Sequence, residues 1–111
     1  MAVEVAPRPE VDDDLRALAS DELRQEALRL LVRLRDEPDL GLRLGKRRDT
    51  GDLRGCRKLY FDEDRHRVVY RLLPTEKQPE TVDVIAVGPR AEMEVYVEAV
   101  RRLEHGAREE D

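Results

Sequence analysis

The side chains with the clearest chemical potential in this sequence are the cations and tyrosines of its middle third. Residues 40–73 hold 10 basic and 5 acidic side chains, whereas residues 1–39 hold 6 and 11 and residues 74–111 hold 5 and 10. The middle third is therefore a basic segment inside a chain whose formal net charge is −5. Such an asymmetry indicates a nucleic-acid or other acidic partner, with a merely solvated charged surface as the alternative.

Composition argues against several other chemistries. The one cysteine, Cys56, has no partner for an internal disulfide, and we expect it to be a small apolar packing residue. His66 and His105 lie too far apart in sequence for a zinc site, so we expect no metal and no cofactor. A pI near 5.2 argues against a general nucleic-acid binder, because affinity for phosphate backbones comes from clustered Lys and Arg.

Length and hydropathy indicate a single soluble domain. The 111 residues fit one domain, which we predict to span residues 1–105 with a frayed tail at 106–111. No apolar run approaches the roughly 18 residues of a membrane span, and the first residues lack the basic and apolar regions of a secretory signal. We therefore expect a cytoplasmic protein with no membrane partner.

Hydrophobic periodicity predicts the elements that must position the basic segment. The predicted order is β-α-α-β-β-β-α, an α+β domain with a small, mainly antiparallel four-stranded sheet and its helices packed on one side. Ser20 is the predicted N-cap of the second helix, Pro38 its end, and Gly106 the end of the last helix. The Gly-rich residues 41–55 are predicted to form a loop or an irregular strand entry. The strands are predicted at residues 2–6, 58–61, 67–72 and 81–87, and the helices from Pro9, after Ser20 and after Gly88-Pro89.

The register of the predicted hairpin decides where its charges point. If Phe61 is opposite His66, one face is wholly apolar or aromatic and holds Leu59, Phe61, Val68, Tyr70 and Leu72. The opposite face then carries Lys58, Tyr60, Arg67 and Arg71 around Val69. A slip of one residue would bury the Arg67 guanidinium beside Leu59, which costs several kcal/mol when the charge is unpaired. The sequence therefore predicts a cationic sheet face that contains a tyrosine.

Four motifs in the second half of the chain resemble the RelE branch of the RelE/ParE toxin family. They are Gly55-Cys56-Arg57-Lys58-Leu59, Arg67-Val68-Val69-Tyr70, Val87-Gly88-Pro89-Arg90 and the run of residues 94–103 that contains Glu94-Val95-Tyr96. The resemblance implies a RelE-like fold and a type II toxin that enters the ribosomal A site, cleaves mRNA without a metal and inhibits translation. It also implies a cognate antitoxin, encoded beside the toxin, whose complex binds promoter DNA.

The resemblance further implies roles for individual residues. Arg67 matches the family arginine that stabilises charge at the scissile phosphate, and Arg90 matches a second phosphate-contacting arginine. Tyr96 matches the tyrosine that stacks on an mRNA base or assists proton transfer. Lys58 matches the first of two lysines before the hairpin, whereas Tyr60 stands at the position of the second, which is proposed to help activate the attacking 2′-hydroxyl. Auxiliary RNA contacts are expected from Tyr60, Arg57, Arg71, Arg47 and Arg48.

Elementary chemistry is consistent with these roles. RNA transesterification needs a base near the 2′-hydroxyl, cations against the pentavalent phosphorane, and an acid for the leaving 5′-oxygen. Arg67 and Arg90 suit the cation role, but arginine stays protonated and cannot be the base. A phosphate at Arg90 would also meet the N-terminal end of the last helix. A base drawn from Tyr60, Tyr96 or Lys58 needs a lowered pKa, which a cationic surface favours.

Each assigned residue also has a purely structural interpretation. Tyr96 lies on the apolar stripe of the last helix, where a tyrosine commonly packs as core. Arg90 fits an ion pair with a neighbouring glutamate, and Lys58 and Arg67 fit structural contacts with acidic groups.

Two further functions stay open. One is a catalytically weak or inactive RelE-like module that binds antitoxin and co-regulates its promoter, motivated by Tyr60 at the second lysine position. The other is a ParE-like inhibitor of DNA gyrase, because residues 103–108 superficially resemble the ParE ending.

Overall fold

The computed structural model describes residues 3–110, and the side chains of all of these except Glu92 and residues 106–110. The predicted strand at residues 2–6 and the predicted tail at 106–111 each include one residue, Ala2 and Asp111, that lies outside the described residues. The elements follow the predicted order, with three very short strands added. They are β1 (Glu4–Pro7), α1 (Pro9–Arg16), α2 (Asp21–Arg33), β2 (Leu42–Arg43), β3 (Lys46–Arg47), β4 (Gly51–Asp52), β5 (Cys56–Phe61), β6 (His66–Leu73), β7 (Thr81–Pro89), a 3-10 turn (Ala91–Met93) and α3 (Glu94–Glu110).

A mixed sheet forms the centre of the domain. Within residues 3–110 it has five strands in the order β1-β7-β6-β5-β2, where the sequence predicted four. β1 runs parallel to β7, and the other neighbours are antiparallel, as predicted for the β5–β6 pair. The fifth strand is the two-residue β2, and β3 and β4 form a separate ribbon. Strands of two residues are too short to show an alternation of apolar and polar side chains, so the Gly-rich sequence around them predicts a loop.

The predicted register of the β5–β6 hairpin is confirmed. The observed pairs include Phe61 with His66, Tyr60 with Arg67, and Lys58 with Val69. The cationic face and the apolar face of the hairpin are therefore those that the sequence predicts.

The prediction that all helices lie on one side of the sheet is wrong. α1 and α2 cover one face, where Leu31 and Leu34 pack with Phe61 and Tyr70. α3 covers the other face and packs against the residues Val69, Ile85 and Ala86. The physical reason is visible in β6 and β7, whose consecutive apolar residues make both faces of these strands hydrophobic, so that each face needs its own cover.

Cys56 belongs to the core beneath α3 and is buried. Burial raises the pKa of its thiol to about 11, so the thiol stays protonated at neutral pH. The prediction of a small apolar packing residue is confirmed.

The helix ends agree with prediction at two points, the start of α1 at Pro9 and the cap of α2 at Ser20, and differ at three. Ser20 caps α2, because its Oγ accepts the backbone N–H of Leu23 at 3.2 Å. α2 ends at Arg33, before Pro38, and Pro89 is the last residue of β7, not part of a helix. α3 continues past Gly106 to Glu110, because the residues that follow the glycine are mostly good helix formers. Of the described helices, none is long and apolar enough to cross a bilayer.

Two carboxylates, Asp83 and Asp14, form ion pairs with arginines of other elements of the fold. Asp83 of β7 accepts hydrogen bonds from Arg8 at 3.0 and 3.1 Å and from Arg71 at 2.8 Å. Asp14 of α1 accepts two bonds from Arg102 of α3, at 2.6 and 2.9 Å. The second pair ties the last helix to the first.

A first prediction concerns Tyr70, which is fully buried. Its hydroxyl accepts the Gly41 N–H at 2.8 Å and donates to the Pro38 carbonyl at 2.9 Å. Tyr70→Phe leaves both backbone groups without a partner, so we expect a loss of about 1–3 kcal/mol in the free energy of unfolding, measured by urea denaturation. Tyr60→Phe is the matched control, because that ring is half-exposed, and its effect should stay within about 0.5 kcal/mol. Equal effects of the two variants would contradict this account.

A second prediction concerns acid stability. Burial alone would raise the pKa of Asp83, but hydrogen bonds from Arg8 and Arg71 outweigh it and hold the pKa below the usual 3.8. A lowered folded-state pKa contributes stability above pH 3.8 that is lost as the pH falls below it. Asp83→Asn should therefore destabilise the protein at pH 7, and the difference from wild type should shrink when urea denaturation is repeated near pH 3.

The control for this test is Asp49→Asn. Asp49 pairs with Arg47 at 3.1 Å, but both side chains are more than half exposed, so the pair contributes little to stability. A pH-independent deficit for Asp83→Asn would show that the ion pair is not the source of its effect.

Candidate active site

A cleft of about 140 Å³ lies on the sheet face covered by α3, where the cationic side of the β5–β6 hairpin meets the β3–β4 ribbon. Four cations and two tyrosines contribute to its wall. They are Arg47, Lys58, Arg67, Arg90, Tyr60 and Tyr96, and they come from the ribbon, both hairpin strands, the loop after β7 and α3. Among the described residues, no Asp, Glu, His or Cys lines this cleft.

Arg67 is the most constrained of these cations, with 5% of its surface exposed. Its Nε donates to the Tyr96 hydroxyl at 3.1 Å, and its guanidinium carbon lies 3.8 Å from the centre of the Tyr60 ring. Its Nη1 donates to the carbonyls of His66, at 3.1 Å, and of Asp64. No carboxylate pairs with it among the described side chains, so the predicted alternative of a structural ion pair does not apply.

The hairpin turn helps to place these carbonyls. Asp62, Glu63 and Asp64 have φ values of 54°, 50° and 71°, which is the left-handed region that Asp tolerates better than most residues. The turn curls back so that the Asp64 carbonyl meets the guanidinium three residues later. The N–H groups of Arg67 are thus held by neutral acceptors, the Tyr96 hydroxyl and two backbone carbonyls.

Tyr96 is 7% exposed and packs on the apolar face of α3, as its place in the stripe predicts. Its hydroxyl nevertheless accepts a hydrogen bond from Arg67 and lines the cleft. Simple core packing is therefore an incomplete description. A hydroxyl that accepts from a cation keeps its own proton available for donation.

Lys58 and Tyr60 occupy the same face of β5, two residues apart. The Lys58 Nζ lies 5.3 Å from the centre of the Tyr60 ring, and Arg67 lies over the same ring at 3.8 Å. The Tyr60 ring is therefore in contact with two cations, an arrangement that its ring quadrupole favours.

Arg90 is exposed and immediately precedes the 3-10 turn. It has no ion pair among the described side chains, which include Glu94 but not Glu92. Its N–H donates to the Arg65 carbonyl at 2.9 Å, which fixes the backbone beside the hairpin. The predicted help from the N-terminal end of the last helix is not supported, because the 3-10 turn and Met93, at φ 60°, stand between Arg90 and α3.

Three predicted auxiliary residues lie outside the cleft lining. Arg57 follows the alternation of β5 to the opposite face, where it binds the Gly41 carbonyl at 2.8 Å and Glu76 at 3.2 Å. Arg71 is held by Asp83, and Arg48 is exposed in the turn of the ribbon. Only Arg47 and Tyr60 of the auxiliary set join the cleft.

Sequence reasoning missed part of the wall. Leu44, Gly45, Thr50, Leu53 and Met93 also line the cleft. Most of them come from the Gly-rich segment, in which no periodicity indicates which side chains turn inward. His66, in agreement with its exclusion from the predicted site, is outside the cleft and lies with its Nδ1 2.9 Å from Asp62.

Comparison with known proteins agrees with this geometry. Residues 5–94 match the family model described as "ParE toxin of type II toxin-antitoxin system, parDE". No curated protein sequence matches the chain.

Solved structures with the same fold are RelE toxins. A double arginine-to-alanine mutant of Escherichia coli RelE in the free state is 27% identical, with a TM-score of 0.65 over 92% of this chain and 98% of that one. The same mutant in complex with a peptide of the antitoxin RelBc is 27% identical, with a TM-score of 0.60 over 89% and 95%. The Mycobacterium tuberculosis toxin–antitoxin complex RelBE2 shares the fold at 21% identity, with a TM-score of 0.62 over 81% and 100%. The chain therefore belongs to the RelE/ParE superfamily and is a RelE-like toxin of a type II toxin–antitoxin system.

Proposed function

We propose that this toxin is a ribosome-dependent, metal-independent mRNA endoribonuclease that inhibits translation. The observation that carries the proposal is the buried Arg67 guanidinium, which has no carboxylate partner among the described residues and faces a cleft lined by three more cations. An uncompensated cation in a partly dry site attracts an anion. A phosphate of the RNA backbone is the anion whose cleavage these side chains can assist.

The reaction is an internal transesterification. The ribose 2′-oxygen attacks the adjacent phosphorus, the bond from phosphorus to the 5′-oxygen breaks, and the products carry a 2′,3′-cyclic phosphate and a 5′-hydroxyl. A base takes the proton of the 2′-hydroxyl, and an acid returns a proton to the 5′-oxygen. No oxidant, water or cofactor enters the balance.

The cleft supplies a role for each lining group. Arg67 and Arg90 stabilise the charge that develops on the phosphorane oxygens, one from the cleft floor and one from its exposed rim. Tyr96, whose oxygen already accepts from Arg67, donates its proton to the leaving 5′-oxygen. Lys58 and Tyr60 are the remaining groups that can exchange a proton near the 2′-hydroxyl.

The size of the cleft and the charge of the chain support dependence on the ribosome. A cleft of about 140 Å³ accepts a phosphate but not a stretch of RNA, and the chain as a whole carries a net charge of −5. Free RNA therefore binds weakly, and cleavage requires a docking site that presents the mRNA to the cleft. Binding through the basic surface should weaken as salt is added.

The partner that restrains such a toxin is its cognate antitoxin, as in the complexes formed by similar RelE proteins. Two other functions have an observation in their favour. The matching family model is named for ParE, which favours a gyrase inhibitor, and Tyr60 in place of a lysine favours a weak or inactive module that only binds antitoxin and regulates its promoter.

The third prediction tests the cations. Arg67→Ala and Arg90→Ala should each reduce the rate of mRNA cleavage on ribosomes by about 10²- to 10³-fold, because each removes a donor to the phosphorane. Arg48→Ala is the matched control, since this exposed arginine lies outside the cleft lining, and it should cut at nearly the wild-type rate. Cleavage products are followed by primer extension, with and without ribosomes, and folding is checked by circular dichroism.

Cleavage that survives in the Arg67→Ala, Arg90→Ala double variant would end the nuclease proposal. Inhibition of DNA supercoiling by wild-type protein, with mRNA left intact, would support the gyrase function instead.

The fourth prediction tests the Tyr96 hydroxyl. Tyr96→Phe keeps the ring on α3 but removes the proton donor, so we expect the cleavage rate to fall by about 10²-fold with little change in ribosome affinity. In cells, wild-type expression should arrest growth and Tyr96→Phe should relieve the arrest. Equal arrest by the two proteins would exclude this role for Tyr96, and no arrest by wild type would favour the inactive module.

A further inference from the structure

The guanidinium of Arg67 has one nitrogen that the fold does not use. Its Nε donates to the Tyr96 hydroxyl, and its Nη1 donates to the carbonyls of Asp64 and His66. Nη2 makes no hydrogen bond among the described residues, and the side chain lines the cleft. Because a guanidinium is planar and its donors are fixed relative to one another, the group that holds this plane also sets the direction of Nη2.

The two residues paired with Arg67 in the sheet differ in what they can contact. β6 lies between β5 and β7, and Arg67 is paired with Tyr60 on β5 and with Gly88 on β7. Residues directly opposite each other in antiparallel strands have side chains in contact, but a glycine has no side chain. Of the two paired residues, therefore, only Tyr60 can restrain the guanidinium.

The ring of Tyr60 makes this contact. The guanidinium carbon of Arg67 lies 3.8 Å from the ring centre, and the Lys58 Nζ lies 5.3 Å from the same point. The ring quadrupole attracts both cations, whereas the two like charges repel each other. Loss of the ring would remove the attraction and leave the repulsion, so the guanidinium would lose its fixed orientation.

The hydroxyl of Tyr60, by contrast, is not held. It makes no hydrogen bond among the described residues, and 38% of the residue is exposed. The Tyr96 hydroxyl, in the same cleft, accepts from Arg67 at 3.1 Å. A group that transfers a proton has to be oriented toward the reacting oxygen. The structure orients the ring of Tyr60 and not its hydroxyl.

We propose that Tyr60 is a positioning residue that acts through Arg67. Its ring holds the guanidinium so that Nη2 meets a phosphate of the RNA backbone, and its hydroxyl carries no proton in the reaction. The inference deepens the proposed nuclease function and rests on it for the identity of the anion. The contact between Tyr60 and Arg67 belongs to the free toxin, so it can be tested whether or not mRNA is cleaved.

The fifth prediction compares two variants of Tyr60 in mRNA cleavage on ribosomes. Tyr60→Leu removes the ring and should lower kcat about tenfold with little change in KM, because a displaced donor stabilises the phosphorane less well. Tyr60→Phe is the matched control, since it keeps the ring and removes only the hydroxyl. It should cut within about twofold of the wild-type rate, with the same dependence of rate on pH. Because Tyr60 is half-exposed, both variants should keep the wild-type circular dichroism.

A second measurement follows Arg67 directly by NMR in the free toxin, made with isotope-labelled arginine. The Nε–H signal of Arg67 is identified by its absence in Arg67→Lys. This hydrogen is bound to Tyr96 in a buried side chain, so it should exchange slowly with water in the wild type and in Tyr60→Phe. In Tyr60→Leu it should exchange about threefold faster, and the Kd for inorganic phosphate, titrated against the same signal, should rise by about the same factor.

Either of two results would overturn the proposal. Unchanged kcat and unchanged exchange of the Arg67 signal in Tyr60→Leu would show that the ring does not hold the guanidinium. Loss of cleavage in Tyr60→Phe, with an altered dependence on pH, would show that the hydroxyl transfers a proton.

This proposal and the nuclease proposal fail separately. If Tyr60→Leu speeds exchange of the Arg67 signal and weakens phosphate binding while wild type cleaves no mRNA, the positioning of Arg67 by Tyr60 stands and the nuclease function falls. If wild type cleaves mRNA and Tyr60→Leu matches it in kcat and in the Arg67 signal, the reverse holds.

Discussion

The buried guanidinium of Arg67 is the constraint on which the rest of the site depends. A cation that is 5% exposed and has no carboxylate partner among the described residues is costly unless every neighbour is an acceptor or an aromatic face. The Tyr96 hydroxyl, the Tyr60 ring and two turn carbonyls meet that need. The hairpin register, the left-handed turn and the position of α3 are therefore all required to keep one positive charge buried and uncompensated.

The chain is rich in carboxylates, any of which could pair with Arg67. The ion pairs of the structure show that other arginines take up two of these carboxylates. Asp83 is committed to Arg8 and Arg71, and Asp14 to Arg102. These pairs neutralise carboxylates of β7 and α1, neither of which lines the cleft, and they join β7 and the last helix to other elements of the fold. The ion pairs therefore do more than stabilise the fold. They also leave the acidic groups on the surface and the cations in the cleft as separate regions of the domain.

The predictable parts are those governed by strict periodicity. The alternation in β5 and β6 is sufficient to predict the register, because only one register keeps Arg67 away from Leu59. The motifs around Lys58, Arg67, Arg90 and Tyr96 predict four residues that line the cleft together. The Gly-rich wall could not be predicted, since two-residue strands have no period. Arg57 alternates with Lys58 along β5 and lies on the opposite face, so its charge alone does not indicate a place in the cleft. The face of the sheet on which α3 packs is decided by tertiary packing. In the sequence its only sign is that β6 and β7 are apolar on both faces.

The last helix is attached by residues from opposite ends of the chain. Arg102 binds Asp14, which lies 88 positions earlier, and β1 pairs with β7 across most of the sequence. During synthesis Lys58, Tyr60 and Arg67 emerge first, and the loop and helix that supply the other half of the wall emerge later. A nascent chain therefore presents the cations of the hairpin first, and the cleft is complete only after Arg90 and Tyr96 have also emerged.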